Sequence, residues 1–147
     1  MVEPNQVRIG NYLLFKAKPC IVTAIGKNSL QVEALSKGGP LDSALLELSY
    51  LPLTEEWMRK FSGDESGYLT VSELERTTDS SDMVILSTIE CYLHEDGFLR
   101  VCAYEYDKQP DGTMDTSDDV ITLGYKHIRY VHQLQNFYFA LSGEELS

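Results

Sequence analysis

Residues 128–146, IRYVHQLQNFYFALSGEEL, change the period of the chain. Val131, Leu134, Tyr138 and Leu141 recur at steps of three and four, with Phe137 on the same side, while His132, Gln133, Gln135 and Asn136 occupy the rest. This spacing predicts an amphipathic helix of about three turns, stopped by Gly143. Such a helix needs an apolar surface to lie on, so the remainder of the chain should provide a β-sheet whose open face the stripe closes.

Working outward, the first third reads as short strands: VRIGNYLLF (7–15), CIVTAIG (20–26) and SLQVEAL (29–35), separated by turn formers at Lys18-Pro19 and Gly26-Lys27-Asn28. Strands this short must curl or meet a second layer to enclose a core. RIGNY with the later turn at Gly26 resembles the start of an SH3-like small barrel. LLELSYLPL (45–53) resumes an extended pattern, and Thr54 then caps a short helix with Glu55 and Glu56 in its first turn, ending near Ser62-Gly63. MVILSTIECYL (83–93) and FLRVCAYEYD (98–107) flank Asp96-Gly97, which predicts a two-residue hairpin turn and sets Cys91 opposite Cys102. In that register Ile89, Cys91, Leu93, Cys102 and Tyr104 share the core face. A last strand falls near VITLGY. The expected fold is a single α+β domain over residues 1–147: a curled, mostly antiparallel sheet, a short central helix and the C-terminal amphipathic helix.

Composition narrows the function classes. Against 12 basic side chains stand 23 acidic ones, a net charge of −11, which repels a phosphate backbone unless cations cluster. The closest grouping is Lys126, His127 and Arg129, so nucleic acid is not an expected partner. No apolar run reaches membrane-spanning length, and MVEPNQVRIG lacks a basic region followed by a hydrophobic one; a cytoplasmic protein without a membrane partner is expected. Three cysteines, an odd number with no C-x-x-C, point to a reducing compartment.

Two stretches invite a metal reading. In FSGDESGYLTVSEL (61–74), placing Gly67 at the sixth position of a calcium loop puts Ser62 first, Asp64 third, Ser66 fifth, Thr70 ninth and Glu73 twelfth, which makes Asp64, Ser66, Thr70 and Glu73 the candidate ligands. Ser62 stands where an aspartate normally enters, and ELERTTDSSD makes a poor exiting helix. The competing reading is a polar loop leading into a strand, GYLTVSEL. The second stretch, Asp107 to Asp118, holds more acid but contains a proline, lies between strands and has no closing glutamate. No cofactor is therefore expected, with calcium the one ion these residues could suggest.

Enzyme chemistry finds little support. His94, His127 and His132 have no nucleophile motif beside them, and Cys91 and His94, three apart on a strand, point to opposite faces. No glycine-rich phosphate cradle and no H-E-x-x-H is present. Tyr92, Tyr104, Tyr106, Tyr125, Tyr130 and Tyr138 could instead form an aromatic surface for a partner.

RIGNY (8–12), LPLTEEWMRKF (51–61) and IRYVHQLQNFYFALSGEEL (128–146) together resemble an uncharacterised family of small proteins encoded by gut anaerobic bacteria and their prophages. The resemblance implies a compact α+β domain and a phage-related setting, and it transfers no catalytic residue. The chain departs from that pattern after Phe61, where SGDESG replaces the more usual glycine-aromatic pair. The expected function is a non-enzymatic accessory protein of prophage or mobile-element type, acting by contact with a protein partner or a second copy of itself. Alternatives are a calcium-responsive binding module using loop 62–73, and an acidic DNA-mimic inhibitor.

Overall fold

A computed structural model describes residues 2–27, 29–35, 40–41, 47–77, 84–108, 111–116 and 121–147. Five strands come first, β1 (Tyr12–Phe15), β2 (Lys18–Ile25), β3 (Leu30–Ala34), β4 (Pro40–Leu41) and β5 (Leu48–Tyr50), followed by helix α1 (Glu55–Ser62). Then come β6 (Leu69–Thr77), β7 (Val84–Leu93), β8 (Leu99–Lys108), β9 (Met114–Thr116), β10 (Ile121–Tyr125) and helix α2 (Val131–Ser142). The class is α+β and every strand pair is antiparallel, as the patterns predict. The strands form two sheets, ordered β4-β3-β2-β1-β5 and β10-β8-β7-β6 with β9 beside β8. Among the described residues neither closes into a barrel, so the SH3-like likeness of RIGNY stops short of closure. The chain divides into two compact units: unit 1 is Met1–Leu53 with Ile128–Ser147, and unit 2 is Thr54–His127. Among the described residues no helix is long and apolar enough to cross a membrane.

Unit 1 packs Val2, Val7, Leu13, Cys20, Val22, Leu30, Val32 and Leu48 into one cluster, with Phe15 and Tyr50 against it. Each such side chain gains roughly 1.5–3 kcal/mol by leaving water. Strands β1 and β2 turn at Lys16-Ala17, both in the left-handed region (φ 48° and 63°), with Phe15 paired to Lys18. The turn expected at Lys18-Pro19 is thus corrected: Pro19 lies within β2 opposite Leu14. Left-handed backbone costs a non-glycine residue roughly 1–2 kcal/mol, so the pair Lys-Ala gives no sign of such a turn.

Helix α2 begins and ends where its sequence signals do. Gln133 Oε1 accepts from the Arg129 and Tyr130 N–H groups (2.9 and 3.2 Å), satisfying donors at the helix start, and Gly143 (φ 75°) closes it with a bond from its N–H to Phe139 O (2.8 Å). Its buried face differs from the apolar stripe. Val131, His132, Leu134 and Gln135 are buried, whereas Leu141 is 47% exposed. Gln135 explains the difference. Its Oε1 accepts from Tyr12 N–H (2.8 Å), and its Nε2 donates to Gly10 O (3.1 Å) and Leu146 O (2.8 Å). A buried amide with main-chain partners on both sides is favoured inward over a leucine one residue from the helix end.

In unit 2, α1 follows its reading closely: Thr54 Oγ1 accepts from Trp57 N–H (3.4 Å), Gly63 (φ 75°) ends the helix, and Trp57 and Phe61 rings sit 5.6 Å apart. Met58 is its buried residue, and the helix packs on β6 and β7. The β7–β8 hairpin departs from expectation. Leu93 pairs with Leu99, His94 N–H donates to Phe98 O (3.0 Å) and Gly97 N–H to His94 O (2.8 Å). With Gly97 at φ 77°, the turn is a three-residue loop with glycine in the left-handed position, not the two-residue turn expected. The register therefore moves by one residue, and Cys91 faces Val101 while Cys102 faces Glu90. Leu99 and Val101 join Ile89, Cys91 and Leu93, whereas Cys102 and Tyr104 fall on the other face with Glu90 and Tyr92.

Gln135→Leu should destabilise the protein by roughly 3 kcal/mol or more, because three main-chain groups lose their partner at about 1 kcal/mol or more each. Urea unfolding followed by far-UV circular dichroism measures this loss.

Candidate functional site

The stop signal that ends α1 also begins a site in unit 2. After Gly63 the chain runs through Asp64, whose Oδ1 accepts from Ser66 Oγ (2.6 Å), Ser66 N–H (2.9 Å) and Ser62 Oγ (3.1 Å). The Ser66 hydroxyl and amide, then Ser62, hold this carboxyl below its ordinary range. Gly67 (φ 68°) turns the chain against α1, where a Cβ would touch Met58 Cβ and Arg59 Cγ at 3.6 Å. Tyr68 follows, one residue before the Leu69–Cys91 pair, and stacks on Tyr92 with ring centroids 4.8 Å apart.

The β7–β8 turn supplies the facing wall. Asp96 accepts from the Phe98 N–H (3.0 Å), pairs with the Arg100 guanidinium and lies 3.3 Å from His94 Nδ1. What desolvation Asp96 feels would raise it, but the Phe98 N–H, Arg100 and His94 outweigh this and hold it low. Between turn and helix lies a cleft of about 420 Å³, lined by Glu55, Met58 and Arg59 of α1, by Ser66, Gly67 and Tyr68, and by Tyr92, Leu93, His94 and Glu95. Arg59 is matched by Glu55 at 3.1 Å.

The sequence candidates distribute as follows. Asp64 and Ser66 bond to each other in the loop, and Ser66 lines the cleft. Thr70 and Glu73 lie on β6, opposite Glu90 and Thr88. The 62–73 segment thus joins a helix to a strand. Among the described residues no group of three or more His, Cys, Asp or Glu side chains could hold a metal. In the second acidic stretch Asp107 pairs with Asp115 across β8 and β9, and Asp111 Oδ1 accepts from Thr113 N–H and Oγ; Asp118 lies outside the described residues.

Of the tyrosines, Tyr130 and Tyr138 belong to unit 1, and Tyr92, Tyr104, Tyr106 and Tyr125 to unit 2. The partner that stacks on Tyr92 is Tyr68, which sequence reasoning passed over; the β6–β7 register was the signal that would have found it.

His132 is buried between aromatic rings, stacked on Tyr50 (4.6 Å) and Tyr130 (5.9 Å). Its Nδ1 has no hydrogen-bond partner among the described residues. Burial pushes its pKa down to about 4. The three cysteines are free and buried, and burial raises the Cys20 and Cys91 thiols to about 11 and about 12. These groups are placed as packing rather than as an accessible base or nucleophile. No family model, curated protein or solved structure matches the chain.

Two outcomes follow from this burial. Since the unfolded imidazole binds a proton near pH 6.5 and the folded one only near 4, His132 contributes stability that is complete above pH 6.5 and declines as pH falls toward 4. Urea unfolding across that window should show this loss, and His132→Phe should flatten it. Iodoacetamide at about pH 8 should label no thiol in the folded chain and all three in denaturant, counted by mass spectrometry.

Proposed function

We propose that the chain acts without chemistry of its own, as an accessory protein that contacts a basic protein partner through the acidic surface of unit 2. The distribution of charge carries this reading. Residues 54–127 hold 17 of the 23 acidic side chains and 6 of the 12 basic ones, so the whole net charge of −11 resides in unit 2. Unit 1 balances six acids with six bases. Glu55, Glu56, Asp64, Glu65, Glu95, Asp96, Glu105, Asp111 and Asp115 are all exposed.

Folding does not ask for this segregation. Asp107 directly opposite Asp115 is a like-charge pair that works against the β8–β9 ladder. A concentrated negative field does serve association, by steering a cationic partner and rejecting anionic ones.

The test is affinity capture from lysate of the encoding organism with the full chain and with the variant Glu56→Gln, Glu65→Gln, Asp111→Asn, Asp115→Asn. Basic proteins retained at about 0.05 M salt should be released at about 0.5 M, where screening shortens to a few ångströms, and the neutralised variant should retain them several-fold less. Retention indifferent to both salt and neutralisation overturns the reading.

A further inference from the structure

We infer that the cleft between α1 and the β7–β8 turn receives an arginine side chain of that basic partner, stacked on Tyr68 and paired with Glu95. The inference rests on the acidic-surface reading and adds to it a site and a ligand group.

Three observations select a guanidinium. First, the aromatic surface is free to take it: Tyr68 stacks on Tyr92 through one side yet remains 46% exposed, a large fraction for an aromatic ring lining a cleft. Second, the guanidinium that lines the cleft, Arg59, is matched by Glu55, and Arg100 behind the turn is matched by Asp96, whereas the exposed Glu95 carboxylate has no hydrogen bond or ion pair among the described residues. An entering anion would face Glu55 and Glu95 without an unmatched cation to meet it. An entering cation finds an exposed carboxylate and an exposed aromatic ring lining one cleft. Third, unit 1 already builds the same arrangement internally: Arg8 lies 3.6 Å above the Phe139 ring and pairs with Glu145 at 2.8 Å. A planar guanidinium satisfies ring and carboxylate at once, which an ammonium does less well. The cleft volume accommodates such a side chain together with its flanking backbone.

The experiment is a ¹H–¹⁵N correlation titration of the full chain with a capped Gly-Arg-Gly tripeptide, with the citrulline tripeptide and maltotriose as controls. Saturable shifts confined to Ser66, Tyr68, Tyr92 and Glu95 are expected with arginine and absent with citrulline. Tyr68→Leu and Glu95→Gln should each weaken binding about threefold or more, and Tyr68→Phe should keep it within about twofold. Glu95 is an exposed turn residue, so its variant reports on binding even if Tyr68→Leu disturbs the fold. Equal binding of citrulline, or saturation by maltotriose in place of arginine, overturns the inference. Shifts along β8 and β9 that bypass the cleft sink the site but leave the acidic-surface reading standing, whereas no shift anywhere in unit 2 sinks both.

Discussion

A carboxamide removed from water must find partners for its oxygen and its amide hydrogens, and Gln135 meets that demand with three main-chain groups drawn from distant parts of the chain. Gly10 and Tyr12 fix the entry to β1, Leu146 fixes the segment after α2, and the helix that carries Gln135 is thereby held against both. Other contacts repeat the pattern around it. Arg8 reaches Glu145 and Phe139, and Asn136 Nδ2 donates to Gln6 O (3.2 Å). The RIGNY and VHQLQN-FYFAL-GEEL stretches, which look unrelated on the page, are therefore two sides of one seam. Their polar residues tie the two stretches together.

Elements whose signals are local could be read from sequence. Thr54, Gly63 and Gly143 marked helix limits through cap chemistry that depends on a few neighbours. Register could not, because it depends on turn geometry. Asp96-Gly97 suits either a two-residue turn or a three-residue loop, and the choice moves Cys102 and Tyr104 from one face to the other. Lys16-Ala17 carries no turn signal at all, since its left-handed backbone is imposed by the strands on either side. The candidate site suffered from the same gap: Tyr68 and Tyr92 meet only once the β6–β7 pairing is known. Gln135 falls outside the apolar stripe because its type is polar, and only its three partners show why it is buried.

The two units divide labour along an electrostatic line. Unit 1 is charge-balanced and laced by buried polar bonds, a design that favours rigidity. Among the described residues unit 2 keeps a smaller buried set, including Met58, Leu69, Cys91 and Leu99, beneath a surface rich in carboxylates. Within that surface the cleft is distinguished by its ring stack and by Glu95, a carboxylate unmatched among the described residues, next to the paired Asp96.

The chain leaves unit 1 at Leu53 and re-enters beside it, where Leu53 N–H bonds to Arg129 O and Val131 N–H to Leu51 O. Unit 2 is thus spliced into unit 1 through adjacent points, and this sets an order on synthesis. All of unit 2 has left the ribosome before α2 exists, so its long hairpins can assemble while the first five strands still lack their covering helix. Unit 1 must wait for a partner 123 residues downstream of Tyr12 before its seam can close. The half that is finished last is the one begun first.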